Sequence, residues 1–398
     1  MSDNYILVLN SGSSSLKFAL YTLEYHHCVG QGSVTGIGQS KATLKTKGPI
    51  FENSGQAQLS LSGDCSSVSQ AVNVLMTWLE SVLPPNSFGA VGHRVVHGGQ
   101  LKNHCKVTSE VVTYLRSLTS LAPLHQPYNL EAIEQIMRTR PNVPQVACMD
   151  TIFHSNMPML HRRFGLPRAM HDKGIMRYGF HGLSYEYIAG RLERLSHRGF
   201  AGRTIVAHLG SGSSLCALKG GKSIDTSLGF STLDGLMMGT RPGSLDAGVI
   251  LYFLQELKMD AKALEKLLYK ESGLLGVSGV SADMITLQQS DKPEAKDAID
   301  LFCHKIVREA GALISVLGGL DAFVFTGGMG EHSSMIRSKV IDGLKWMGLE
   351  FSNRSRNASV PDGQEVLLSP PQNAVEVWAV PTDEEAIIVR HTCKLAFA

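Results

Sequence analysis

The chain predicts an α/β fold of two similar halves, and three observations carry that prediction. An apolar strand, a Ser/Gly/Asn loop and a second apolar strand open the sequence as "YILVLNSGSSSLKFALY" (5–21) and return half a chain later as "TIVAHLGSGSSLCAL" (204–218), the mark of a duplicated unit. After each of these segments, strand-like and helix-like patterns alternate. A third glycine loop, in "DAFVFTGGMGEH" (321–332), follows a strand and leads into the helical stretch "SSMIRSKVIDGLKWMG". A length of 398 residues with 43% apolar content is enough for two cores.

In chain order, Leu16, Phe18 and Leu20 recur at a spacing of two, the period of a half-buried strand, so the first loop reads as a β-hairpin tip. It is not a Walker A loop, which needs a GK[ST] ending and a helix directly behind it, because Lys17 is followed by more strand. Small side chains let backbone N–H groups approach an anion, the hydroxyls of Ser13, Ser14 and Ser15 can donate to phosphate oxygens, and Lys17 adds charge. A single loop of this kind also reads as an ordinary polar turn. Its second copy, and the helix N-terminus behind the third loop, favour phosphate or nucleotide binding. Further strand-like pieces lie at 29–37, 42–45 and 58–61, and helical spacing covers 67–83 and 129–140. "FGAVGHRVVHGG" (88–99) is a strand running into a loop, and "VPQVACMDTIFH" (143–154) is an apolar strand that ends in Asp150 and His154.

A net charge of +2 on 37 basic and 35 acidic residues, with no basic run beyond short clusters such as "HRRF" (161–164), argues against nucleic acid as a partner. The opening "MSDNY" lacks a basic region, and the longest apolar stretch, 310–325, is broken by Gly318, Gly319 and Asp321, so no signal peptide or membrane span is expected and the location is cytoplasmic. Seven scattered cysteines without a CxxC pair read as ordinary thiols, neither disulfides nor metal ligands.

The remaining chemistry falls in glycine-flanked loops placed at strand ends: Arg94 and His97 in "GHRVVHGG", His125 in "LAPLHQPYN", Asp150 in "MDTIFH", His181 in "RYGFHGLSYEY" and Arg241 in "MMGTRPGSLDAG". Each alone could be a packing residue. Together they suit an anionic active site.

"LVLNSGSSSLKF", "GHRVVHGG", "PLHQPYN", "MDTIFH", "RYGFHGLS", "AHLGSGSS", "MGTRPGSLD", "TGGMGEH" and "VPTDEEAII" follow one another in the order of the acetate kinase family, which the chain resembles over essentially its whole length. The resemblance implies the duplicated actin, sugar kinase and heat-shock ATPase (ribonuclease H-like) fold, with an interdomain cleft. Residues 1–150 would form the first domain, with the tail from about 385 to 398 returning to it, and 151–384 the second, carrying most of the nucleotide site. It implies reversible, ATP-dependent phosphorylation of a short-chain carboxylate, acetate and also propionate, with ATP/ADP as co-substrate, Mg²⁺ or Mn²⁺, and a homodimer. By the same resemblance Asn10 and Glu384 position the metal, Lys17 contacts phosphate, and His208, Leu209, Gly210, Ser211 and Gly212 form the second phosphate loop. Gly327, Gly328, Met329, Gly330 and Glu331 form the adenosine-side loop, with Asp283, Met284 and Ile285 beside the nucleotide. Arg94 and Arg241 hold the carboxylate and the transferring phosphoryl group, His181 stabilises the transition state, and Asp150 matches the essential aspartate. Val96, Leu124, Phe180 and Thr232 line the acyl pocket, with His125 beside them.

In-line transfer brings three anions together, so catalysis is chiefly positioning and charge neutralisation. The nucleophile is already ionised at neutral pH, its pKa lying at about 4 to 5, so no general base is required. Asp150 therefore reads as a group that orients an arginine or the metal shell. Several positions depart from the family pattern: Ser211 replaces the asparagine of HLGNG, Ile285 an arginine, Thr232 a proline, Tyr185 a second histidine, and Pro242 and Ser244 the Ser and Asp of TRSGD. These predict altered nucleotide contacts and an altered acyl preference. A sugar or glycerol kinase of the same fold and a non-catalytic nucleotide-binding regulator are the alternatives.

Overall fold

The computed structural model describes residues 5–24, 26–52, 58–60, 63, 65–353, 355–356 and 358–398. By packing, the chain divides into two units, Met1–Ser155 with Asp383–Ala398, and Asn156–Thr382. The first unit carries β1 (Tyr5–Ser11), β2 (Ser15–Thr22), β3 (Cys28–Thr35), β4 (Thr43–Lys47), β5 (Gln58–Ser60), β6 (Phe88–Val95), β7 (Cys105–Lys106) and β8 (Gln145–Met149). They form one sheet in the order β5-β4-β3-β2-β1-β6-β8-β7. The second unit carries β9 (Arg203–Leu209), β10 (Ser213–Lys219), β11 (Lys222–Thr226), β12 (Ala322–Thr326), β13 (Val366–Leu367) and β14 (Glu376–Ala379), in the order β11-β10-β9-β12-β14-β13.

Without β4 and β5 the two orders coincide, and so do the directions. β1, β2 and β3 form an antiparallel meander, as do β9, β10 and β11. β6 and β8 then join β1 in parallel, as β12 and β14 join β9, and each sheet ends on a short antiparallel strand. The duplication expected from the two hairpins thus extends to the whole sheet.

The apolar periodicity explains the layers. Leu7, Leu9, Leu16, Phe18 and Leu20 face the helix Val68–Val82, whose Val72, Leu75 and Leu79 complete the first core. In the second unit Ile205, Ala207 and Leu209 face the helix Pro293–Leu317 through Phe302, Ile306 and Leu313. Each such leucine or phenylalanine contributes about 1.5–3 kcal/mol when fully buried. Among the described residues, no helix is long and apolar enough to cross a membrane.

Several expectations shift. Leu61 of the expected strand 58–61 lies outside the described residues, and β5 spans Gln58–Ser60. The helix expected at 129–140 spans Gln126–Thr139, because Pro127 suits a first helical turn. His125 is therefore a helix N-cap rather than a strand end, and His181 likewise precedes the helix Gly182–Leu195, with left-handed backbone at φ 56. Arg94 lies in β6, and Asp150 directly follows β8. The tail joins the first unit from Asp383 rather than 385, since Asp383 caps the helix Glu384–Ala396 by accepting from the Ala386 N–H.

Candidate active site

One face of the first sheet gathers polar residues from the ends of its strands. Asn10 stands opposite Lys17 across the β1–β2 hairpin, and the β1–β6 register pairs Leu9 with His93, so Asn10 and Arg94, each one residue further on, fall on the same side of the sheet. Arg94 pairs with Cys148, so Asp150, two residues on, faces the same side. The helix Glu384–Ala396 lies on this face, and Gly92 admits it: a Cβ there would sit 2.6 Å from a methyl of Ile388 and 2.3 Å from the Thr392 hydroxyl. That contact delivers Glu384, the first residue of the helix, to Arg94.

The Arg94 guanidinium donates through Nε to Asp150 Oδ1 at 3.1 Å and through Nη2 to Oδ2 at 2.7 Å, while Nη1 lies 3.6 Å from Glu384 Oε2. Asp150 is 1% exposed, and its backbone N–H is anchored to the Val95 carbonyl at 3.0 Å. Burial opposes the charge on Arg94, but the carboxylates of Asp150 and then Glu384 outweigh it and raise its pKa above the ordinary value. The result is a permanently charged arginine held in one plane by a two-point fork.

In the second unit a parallel cluster forms around Gly212. A Cβ on Gly212 would lie 3.1 Å from Arg241 Nη2 and 3.3 Å from His181 Nε2, so the small loop after β9 is what lets both groups approach its backbone. Arg241 donates Nη1 to the Thr232 carbonyl at 2.8 Å. Burial pushes its pKa down to about 10, against an upward pull from Tyr269, so it remains a cation at neutral pH. The His181 ring stacks on His208 with centroids 4.4 Å apart. His181 Nδ1 lies 2.8 Å from the Ser214 hydroxyl, and His208 Nδ1 lies 2.8 Å from that of Ser184.

The Acetokinase family model matches residues 5–390 of this chain. The chain belongs to the Acetokinase family. It is 47% identical to the acetate kinase of Rhodopseudomonas palustris over 403 aligned residues, covering 100% of this chain and 99% of that one. Among solved structures it matches the acetate kinase of Porphyromonas gingivalis (TM-score 0.87, 35% identity, 98% of this chain and 99% of the other). It also matches a propionate kinase from Francisella tularensis (TM-score 0.89, 31% identity, 98% and 100% covered). The fold is the duplicated α/β fold of these kinases. This Acetokinase member is a phosphotransferase that uses ATP and a carboxyl acceptor.

The family's other expected positions divide between the units. Asn10, Lys17, Arg94, Val96, Leu124, His125, Asp150 and Glu384 belong to the first, and Phe180, His181, the loop 208–212, Thr232, Arg241, the segment 283–285 and the loop 327–331 to the second. Asp283 caps the helix Met284–Gln288, accepting from the Thr286 N–H and hydroxyl, and these bonds hold its carboxyl below the usual range. Ile285 is 65% exposed. The side chains of Met284 and Leu209 are buried in the second core, which leaves their backbone as the part that faces out of it.

Three residues that sequence reasoning passed over position these loops. Gln126 accepts from the His97 N–H and donates to the His97 carbonyl, and Asn129 joins the Val96 N–H to the Ser11 carbonyl, so the "HQPYN" helix start fastens the ends of β1 and β6. The polar side chains of that quoted motif were the available signal. Arg337 is wholly buried and donates to the carbonyls of Gly330, Glu331 and Ala358, bracing the end of the third glycine loop. Its only trace in the sequence is one charge at a core-facing helical position.

Proposed function

We propose that the chain phosphorylates acetate, and propionate alongside it, with Mg-ATP as donor, in a reversible in-line transfer to the acyl phosphate. The observation that carries this reading is the Asp150–Arg94–Glu384 arrangement. Both Asp150 oxygens are engaged by one guanidinium, which suits an acceptor that arrives as an anion and needs a fixed cation. A sugar-type acceptor needs a carboxylate poised to take a hydroxyl proton instead.

In this reading Arg94 holds the carboxylate, Arg241 the transferring phosphoryl group, and His181 donates to that group as charge builds on its oxygens. Lys17, the loop 208–212 and the loop 327–331 hold the nucleotide, and Asp150 keeps Arg94 in plane. Val96, Leu124, Phe180 and Thr232 set the acyl chain length, with His125 beside them. Asn10 and Glu384 offer an amide oxygen and a carboxylate on the same face of the first sheet, Glu384 beside Arg94, and this hard-oxygen set fits Mg²⁺ or Mn²⁺. Such an ion, when bound, neutralises phosphate charge.

The helix Ala247–Gln255 supports a homodimer: none of its residues is buried, and Leu251 and Tyr252 are each more than half exposed, close to exposed Leu245, Leu254 and Leu257. Seven scattered cysteines without a CxxC pair support a cytoplasmic location. The test is hydroxamate trapping of the acyl phosphate from formate, acetate, propionate and butyrate with Mg-ATP, with ADP release on glycerol as the control. Product from acetate and propionate is expected; turnover on glycerol alone, or nucleotide binding without turnover, would sink the reading.

A further inference from the structure

Ser214, on β10, and Ser184, in the first turn of the helix Gly182–Leu195, are both fully buried, so each hydroxyl must satisfy its proton and its lone pairs inside the protein. Ser214 Oγ lies 2.8 Å from His181 Nδ1 and 2.5 Å from the Tyr185 hydroxyl. Ser184 Oγ lies 2.8 Å from His208 Nδ1 and accepts from the Thr382 hydroxyl at 2.8 Å. The two arrangements share one order: an outer hydroxyl, a buried serine, then the Nδ1 of one of two stacked imidazoles. Tyr185 reaches its place because it follows His181 by four residues, one helical turn along the same face.

The protons can be followed along the first relay. The Tyr185 phenol is wholly buried, and burial, reinforced by Cys216, holds its pKa well above the ordinary value, so it remains a donor. A phenol that gives its proton to Ser214 Oγ leaves the serine's own proton for His181 Nδ1. A neutral imidazole that accepts at Nδ1 carries its hydrogen on Nε2. That Nε2 edge is the one that faces Gly212, whose Cβ position also lies near Arg241 Nη2. His208 stacks on the ring, its own Nδ1 2.8 Å from the Ser184 hydroxyl, and the Arg241 guanidinium lies near the same Gly212 position as the Nε2 edge. With an arginine already supplying charge there, the ring's contribution is a directed N–H; the opposite tautomer would aim a lone pair at phosphoryl oxygens and repel them.

We propose that Tyr185, acting through Ser214, is a positioning residue that locks His181 in its Nε2–H tautomer, and that Thr382, acting through Ser184, imposes the same tautomer on His208. The catalytic benefit rests on the reading of His181 as a donor to the transferring phosphoryl group; the tautomers themselves do not.

The test uses the full chain labelled with ¹⁵N-histidine, with side-chain ¹H–¹⁵N spectra recorded where the rings are neutral and His181→Asn and His208→Asn identifying the two resonances. Both rings are expected as Nε2–H in the parent. Tyr185→Phe keeps the ring but removes the donor, so Ser214 is free to accept from Nδ1–H; His181 becomes a tautomer mixture while His208 does not change. The kcat of Tyr185→Phe falls about tenfold, the worth of one net hydrogen bond, with both KM values within about twofold. Ser214→Ala gives the same result should phenylalanine disturb the helix, and Thr382→Val shifts His208 alone. An Nδ1–H form of His181 in the parent, or parental tautomer and kcat in Tyr185→Phe, overturns the assignment. Parental turnover in His181→Asn would instead sink the catalytic reading of the site and leave the tautomer result standing.

Discussion

Replacing Asp150 by Asn separates an orienting carboxylate from a general base. The carboxylate is 1% exposed and takes both Nε and Nη2 of Arg94, at 3.1 and 2.7 Å. Asparagine keeps the shape but presents one oxygen and one NH₂, so one of the two bonds becomes a donor facing a donor. A hydrogen bond to a charged group contributes about 1.5–3 kcal/mol, and removing one partner of a buried pair costs about 3–5 kcal/mol. Arg94 is 20% exposed and keeps Glu384 at 3.6 Å, which places the loss at the lower end, about 2–3 kcal/mol. Expressed in the transition state, that is roughly 30- to 150-fold in turnover. Arg94→Ala removes the cation itself and lowers turnover by at least about a hundredfold. Because Asp150 acts through Arg94, the double variant should be little worse than Arg94→Ala alone. The assay is hydroxamate formation by the parent, both single variants and the double variant across the pH range. Losses that simply multiply, or an acidic limb of the parental profile that vanishes in Asp150→Asn, would refute the orienting role and restore proton abstraction.

Ile285 is exposed, so Ile285→Arg meets no packing penalty and offers a guanidinium to stack on a purine; the KM for ATP should fall several-fold with less change for GTP, and unchanged KM values for both would remove this residue from the nucleotide site. Thr232 is buried and its carbonyl receives Arg241, a bond that proline preserves, so Thr232→Pro should keep turnover on acetate and weaken propionate. The parental preference between the two acids should stay within about 200-fold, the worth of one methylene; exclusive use of acetate by parent and variant alike would place Thr232 outside the acyl pocket. Leu251→Glu puts a charge on the exposed apolar helix, and sedimentation should show the 43.1 kDa chain as a monomer with its helical circular dichroism intact; an unchanged mass would move the dimer contact elsewhere.

Local chemistry made much of this protein legible in its sequence. Period-two apolar spacing around two Gly/Ser loops specified the hairpins, and their repetition announced a duplicated fold, because a strand's buried face must be written into its own residues. Arg94, Asp150, His181 and Arg241 stood out as a set, since a carboxylate, two arginines and a histidine in glycine-flanked segments together suit an anionic site although each alone could be a packing residue. What the tertiary structure alone decided is which of these groups meet. No spacing rule links residues 94, 150 and 384, whose encounter depends on β6 and β8 lying in parallel register and on a C-terminal helix returning across Gly92. Likewise Arg337, Gln126, Ser184 and Ser214 look like ordinary helix and strand positions, since a polar side chain turned inward differs from one turned outward only through partners far away in sequence. Sequence patterns record what each segment buries; hydrogen bonds between segments arise only when the sheets and helices that carry them have been stacked.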